Sequence, residues 1–218
     1  MRTSYKKAFA QFVKKSRRPL QLAIEDEVIR VCNNPKIGQQ KTGDLQGVFV
    51  HKFHFNKQEY LMAYEFDQSL DQPSITWIKF YQIGSHENFY TQLKRSIRLN
   101  WKFITVQRKW GTNMIQSITA EALFAQVKQM PAKERIKFFS LIAINAFKET
   151  DYSHDQVFGD LRNASFSAEE AAEFLEISLP TLRRYVQAGR LKPSTIIGRS
   201  QLFSSSDLRL LKQKMSKE

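Results

Sequence analysis

Cysteine is almost missing from this chain: Cys32 is the one thiol in 218 residues. A lone cysteine excludes an internal disulfide framework and any cysteine-based zinc cluster, and it fits a reducing cytoplasm. Long apolar runs are missing too, which argues against a membrane span. The opening MRTSYKKAFAQF is too polar for a secretory leader, so a cytoplasmic location is expected. Acidic residues are in short supply, 21 against 34 Lys and Arg, for a net charge of +13. That surplus is uneven. Residues 1–113 hold 19 basic against 9 acidic residues, residues 114–165 hold 6 against 6, and residues 178–218 hold 9 against 2. Two basic segments therefore flank a neutral one, and a polyanion is the natural partner of each. The 42% hydrophobic content suffices for a buried core.

The pattern is α+β. Ser4 is expected to cap a helix carrying Tyr5, Phe9, Phe12 and Val13 on one face. Pro19 suits the first turn of a second helix with Leu20, Ile24, Val28 and Val31, ended by Asn33, Asn34 and Pro35. Three runs of strand character follow, GVFVHKFHF, EYLMAYEF and SITWIKFYQI, with Asn56–Lys57 and the loop DQSLDQP as antiparallel connections. SHENFYTQLKRSI then reads as a helix capped by Ser85.

Two periodicities point to a site. In GVFVHKFHF, Phe49, Phe53 and Phe55 share the core face, while Lys52 and His54 share the open one. In the helix, Phe89, Leu93 and Ile97 form an inward stripe, and His86, Tyr90 and Lys94 form another at the same four-residue spacing. Lys52, His54, His86 and Tyr90 are thus candidates to converge on a phosphate, with Lys57 and Lys94 as further RNA-binding cations. Such a set suits metal-free RNA cleavage: a base for the 2′-hydroxyl, a cation for the phosphorane, an acid for the departing 5′ oxygen. Zinc ligation by His51, His54 and His86 is disfavoured because His51 points to the opposite face. No metal or cofactor is expected.

The order of helical hairpin, GDLQGVFVHKFHFNKQEYLMAYEF and IGSHENFYTQLKR resembles the RelE/ParE superfamily of bacterial toxins over residues 4–98. The resemblance implies a catalytic set of Lys52, His54, His86 and Tyr90 acting on mRNA on the ribosome. Relatives often carry arginine after the tyrosine of the second strand; here Leu61 follows Tyr60. A gyrase-poisoning branch of the same superfamily generally lacks the catalytic set.

The second part begins at Met114. Thr119 caps TAEALFAQVKQM, and Pro131 begins PAKERIKFFSLIAINAF. Leu123, Phe124, Val127, Ile136, Phe139 and Phe147 are the apolar residues expected to pack among themselves or to cover the toxin. In residues 165–215, SFSAEEAAEFLEISLPTLRRYVQAGRLKPS holds a Ser167–Glu170 capping box, a turn at Glu176–Ser178, and a second helix with Pro180 in its first turn that stops at Gly189. TIIGRSQLF forms a hairpin around Gly198–Arg199, and Ser206 is expected to cap a last helix. This resembles winged helix-turn-helix domains of the MerR and excisionase kind. By that resemblance Thr181, Arg183, Arg184 and Tyr185 face the major groove, and Arg190, Lys192 and Arg199 reach phosphate or the minor groove.

Residues 96–113 lack linker composition. Trp110–Gly111 obliges four consecutive guanines just upstream of the Met114 codon, where a ribosome-binding site would sit. Met114 is therefore read as a former antitoxin start in a read-through fusion. The expected organisation is a toxin domain over residues 1–98, a junction over 99–113, a helical neutralising segment over 114–163 and a winged helix-turn-helix domain over 164–218. The expected protein is a fused toxin–antitoxin whose partners are operator DNA, mRNA for the free toxin half, its own toxin–antitoxin contact in cis or by domain exchange, and a second copy in a homodimer. The alternatives are a DNA-binding regulator with an inactive toxin fold, and a ParE-type toxin half acting on gyrase.

Overall fold

Alternation over His51–Phe55 makes β3 (Phe49–Phe55) a strand with one fully buried face, and Val50 is buried on the other. Phe49, His51, Phe53 and Phe55 are buried, while Lys52 and His54 are exposed. The computed structural model of the protein describes residues 2–66, 76–85, 88–97, 120–145 and 151–216. Asn56 and Lys57 follow β3 with φ of 49° and 64°, the successive left-handed pair that a tight hairpin turn requires. They lead into β4 (Gln58–Phe66), which pairs antiparallel with β5 (Trp77–Ser85) across a bulge at Ala63–Tyr64. β2 (Gln39–Gln40) lies on the outer edge of β3. β1 (Arg2–Lys6) runs parallel to β5, and β6 (Asp151–Tyr152) closes the sheet in the order β2-β3-β4-β5-β1-β6. The loop DQSLDQP lies outside the described residues.

The chain start corrects one expectation. Ser4 does not cap a helix: residues 2–6 are strand, and α1 (Lys7–Lys15) begins after Lys6 with no side-chain cap. Tyr5 sits four residues before Phe9 and so imitates a preceding helical turn. Its ring instead stacks on Phe80, centroids 5.1 Å apart and 10° from parallel, and the ladder to Trp77–Phe80 satisfies its backbone. α2 (Arg18–Asn33) starts with Pro19 in its first turn and buries Leu22, Ile24, Val28 and Val31. A helix over residues 89–97, α3, buries Phe89, Leu93 and Ile97. It lies over the sheet face that carries Gln82 and Gly84: Gln82 Nε2 donates to Phe89 O (3.4 Å), and a methyl group on Gly84 would meet the Phe89 ring at 3.9 Å. Ser85 ends β5 instead of capping this helix, which follows Asn88 at φ 59°.

Tyr64 ties the exit of α2 to the sheet. Its hydroxyl donates to Pro35 O (2.8 Å) and accepts from Gly38 N (3.0 Å), and burial pushes its pKa up to about 12. Gly38 must be glycine because a Cβ there would stand 2.6 Å from that hydroxyl. Tyr64→Phe strands a buried carbonyl and an amide, so urea unfolding should show a loss of about 1–3 kcal/mol.

After β6 come α6 (His154–Phe158), a short 3-10 turn at Gly159–Leu161, β7 (Ser165–Phe166), α7 (Ala168–Leu175) and α8 (Leu179–Gln187). They are followed by β8 (Thr195–Ile197), β9 (Ser200–Ser204) and α9 (Ser205–Met215). Ser167 and Glu170 form the expected capping box, and Glu176 ends α7 in the left-handed region at φ 56°. Gly189 ends α8 at φ 72°. The cap of α9 is Ser204, whose hydroxyl accepts from Asp207 N, and not Ser206. Position 204 wins because it still has extended φ and ψ while 206 is already helical.

The chain divides into two compact units, Met1–Lys94 with Asp151–Glu218, and Arg95–Thr150. In the first, a single apolar core runs from Tyr5, Phe9 and Leu22 to Phe158, Phe166, Phe174 and Leu208. In the second, α4 (Ala120–Gln129) and α5 (Ala132–Asn145) are the described helices. Among the described residues no helix is long and apolar enough to cross a membrane.

Candidate nucleic-acid interfaces

The hairpin turn at Asn56–Lys57 fixes a register that places His54 opposite Glu59 and Lys52 opposite Leu61, with Leu61 opposite Gly84 on β5. Lys52, Leu61 and Gly84 thus form a row across one sheet face. Lys52 Nζ stands 3.5 Å from Glu59 Oε1, and His54 Nε2 stands 3.9 Å from Glu59 Oε2. One carboxylate therefore bridges both basic side chains. Leu61 is fully buried. His51 points to the other face, where its Nε2 meets Glu27 Oε2 at 2.7 Å.

Tyr90, half-buried on α3, lies beneath Lys41, whose Nζ is 5.5 Å from the ring centroid. Lys94 pairs with Asp44 at 3.2 Å. Lys57 is exposed at the tip of the β3–β4 turn. His86 lies outside the described residues. The structure thus gathers Lys52 and His54 around Glu59, and Tyr90 and Lys94 beside Lys41 and Asp44. Glu59 was readable in advance, since a two-residue turn at 56–57 sets 54 opposite 59. Lys41 was not, because only tertiary packing of the 39–47 segment brings it to α3.

At the other end, α8 presents Arg183 and Arg184 to solvent. Arg184 Nη2 donates to Thr181 Oγ1 (3.2 Å), which also bonds Ser178 Oγ (2.9 Å) at the helix cap. Tyr185 is partly buried against the core and covered by Arg190, 4.7 Å from its ring centroid. Lys192 and Arg199 are exposed. Arg183 and Arg199 line a groove of about 400 Å³ together with Ser167, Ala168 and Glu169. Recognition helix, wing and the start of α7 thus open on one side.

A third cluster escaped the sequence reading. Arg209 on α9 donates from Nε to Asp26 Oδ1 (2.5 Å) and from Nη2 to Glu25 Oε2 (2.7 Å). His154 Nε2 meets the other Glu25 oxygen at 3.0 Å, and its Nδ1 meets Tyr5 Oη at 2.8 Å. Lys6 and Lys79 both reach Asp151, at 2.6 and 3.4 Å. Arg17 pairs with Glu173 (2.8 Å), Arg18 with Glu170 (2.9 Å), and Asn56 N donates to Glu176 (3.2 Å). Residues near the two chain ends are therefore joined by ion pairs of both polarities.

Leu123, Phe124, Ile136 and Phe139 are exposed on α4 and α5, whereas Val127 is buried. Phe147 and Thr119 lie outside the described residues.

A toxin fold at one end and a winged helix-turn-helix at the other define a toxin domain coupled to a DNA-binding module. Comparison with known families agrees: residues 4–94 match the ParE-like toxin of type II bacterial toxin-antitoxin system, and residues 165–216 match a helix-turn-helix domain. The chain joins a ParE-like toxin domain to a helix-turn-helix domain, the pairing of a toxin with a DNA-binding antitoxin. No curated protein and no solved structure matches the chain.

Proposed function

We propose that this protein is a type II toxin–antitoxin pair carried on one polypeptide, which binds operator DNA for self-repression and holds an mRNA-directed toxin half inert. The observation that carries this reading is the common core of residues 1–94 and 151–216, closed by Arg209 on Glu25 and Asp26. An arrangement in which the DNA-binding end is built into the toxin domain suits a protein that works on DNA while intact. The RNA-directed role rests on Lys52 and His54 beside Glu59, and on Tyr90 with Lys41 on the same side of the sheet. Glu59 can hold His54 for proton transfer at the 2′-hydroxyl, Lys52 answers the charge on the phosphorane, and Tyr90 offers a stacking surface for a base. His86, which follows Gly84 and Ser85 in sequence, supplies the second titrating group.

The exposed Leu123, Phe124, Ile136 and Phe139 supply the neutralising contact. Tethering keeps their effective concentration at the toxin high, so modest affinity suffices. A second copy provides the symmetry that a palindromic operator demands.

The test changes these four residues to aspartate in the full chain. Growth arrest with new mRNA ends, cured by adding Lys52→Ala, is the expected outcome. Arrest with broken DNA and intact mRNA would instead assign the toxin half to the gyrase-directed branch. A second reading, a regulator whose toxin fold is inactive, is favoured by Leu61, buried where toxins of this superfamily often carry arginine. Harmless expression of the aspartate variant at undiminished level, with DNA binding intact, selects that reading and sinks the first.

A further inference from the structure

The first helix of the helix-turn-helix carries its glutamates, Glu169, Glu170, Glu173 and Glu176, on one stripe, opposite the buried Ala171, Phe174 and Leu175. In helix-turn-helix complexes this helix crosses the DNA backbone beside the recognition helix. In this protein its N-terminus does open on that side, because Ser167, Ala168 and Glu169 share a groove with Arg183 and Arg199. Hydrogen bonds from its own backbone and from Ser167 hold the Glu169 carboxyl below the usual range, so it is ionised at neutral pH. Such a stripe repels phosphates.

Glu176 is answered from within the same domain, by Lys212 at 3.4 Å, but the cations that answer Glu170 and Glu173 come from the toxin domain. Arg18 forms a bidentate pair with Glu170, at 3.1 and 2.9 Å, donates to Ser165 O and covers the Phe166 ring at 5.2 Å. Arg17 pairs with Glu173 while its side chain stays 75% exposed. Immediately before them, Lys14 and Lys15 are exposed in the last turn of α1. Lys14 lies 5.7 Å from the Tyr152 ring centroid. Within Lys14–Arg18, Arg17 and Arg18 thus meet α7 directly, and the exposed Lys14 and Lys15 precede them by two to four positions in the chain.

We infer that the α1–α2 corner of the toxin domain is part of the DNA-binding surface, contacting backbone phosphates that flank the groove read by α8. Arg17 and Arg18 neutralise Glu173 and Glu170, and Lys14 and Lys15 supply the charge for phosphates. The helix-turn-helix domain by itself presents an incomplete surface. This rests on the DNA-binding reading above.

The experiment measures binding of the full chain to a mixed-sequence duplex DNA over a salt series. Each phosphate contact adds about 0.9 to the slope of log K against log salt, so Lys14→Ala with Lys15→Ala should lower that slope by about 2 and weaken low-salt binding roughly ten-fold. Lys14→Arg with Lys15→Arg should keep both. An unchanged slope in the alanine variant, in a preparation where Arg183→Ala with Arg184→Ala does weaken binding, overturns the inference and leaves DNA binding standing. Loss of slope in the arginine variant also overturns it. If the unaltered chain binds no duplex, the DNA-binding reading itself fails.

Discussion

Arg209→Ala should cost about 3 kcal/mol of stability, the range for removing one partner of a largely buried ion pair. The guanidinium is 27% exposed and bridges Glu25, 13% exposed, and Asp26, 30% exposed. Truncation leaves two adjacent carboxylates facing each other with their shared cation gone. His154 still meets Glu25, which keeps the loss below that of an isolated buried charge. For a chain of this size the thermal midpoint should fall by roughly 6–12 °C. Arg209→Lys should recover only part, since one ammonium cannot match the two-pronged geometry. The pH response has a definite sign. Burial pushes the Glu25 carboxyl up, but hydrogen bonds from His154 and Arg209 outweigh it and hold it below the usual range. Its contribution is therefore present at neutral pH and is lost as pH falls through the lowered value. Asp26 runs the other way: burial raises it despite Arg209, so its protonation on acidification favours the folded state. The two groups oppose each other on acidification, so the acid loss of stability should be smaller than the Glu25 carboxyl alone would give. An alanine variant within 0.5 kcal/mol of the unaltered chain, judged by urea unfolding, would refute this view of the join.

This join marks where sequence reading runs out. Elements with local causes were legible: Pro19 opens α2, Asn56–Lys57 makes a turn, Ser167–Glu170 starts α7, and Gly189 stops α8. Each depends on residues no more than four apart. The alternation in β3 also told which of its side chains face out. The misread strand at Arg2–Lys6 depends on Trp77–Phe80, some 75 residues away, and nothing local distinguishes Tyr5 from a helical residue. Arg209, Glu25 and Asp26 are likewise separated by more than 180 positions. In sequence they look like ordinary charges on the polar faces of two helices. For the same reason the candidate site was half legible. Strand and helix periodicity nominated Lys52, His54 and Tyr90, whereas Lys41 beside Tyr90 needed the packing of a turn-rich segment that has no period of its own. Nothing in the sequence of α7 marks its glutamates as paired, yet three of them meet partners from residues 17–56.

Leu61→Arg, which restores the arginine that toxins of this kind often carry, should unfold the domain before it enhances any activity. Leu61 is fully buried, between Lys52 on one neighbouring strand and Gly84 on the other. Phe89 of α3 packs above Gly84, so the apolar layer under that helix continues through this position. A guanidinium here has the Lys52 ammonium as its cross-strand neighbour, and like charges opposite each other destabilise a sheet. Glu59 is the nearest acid on that face, and it is already shared by Lys52 and His54. Burying an unpaired charge typically costs 3 kcal/mol or more, and the lost leucine packing adds about 2 kcal/mol. The expected result is a chain that unfolds at least 10 °C lower, or that fails to accumulate in soluble form. Leu61→Met preserves volume and should lie within about 1.5 kcal/mol of the unaltered chain, which separates a demand for apolar volume from a demand for leucine itself. Should Leu61→Arg instead fold with an unchanged midpoint and raise mRNA cleavage, α3 must be able to lift and let the side chain reach the face shared with Lys52. The apolar layer at this position would then be a lid instead of a core.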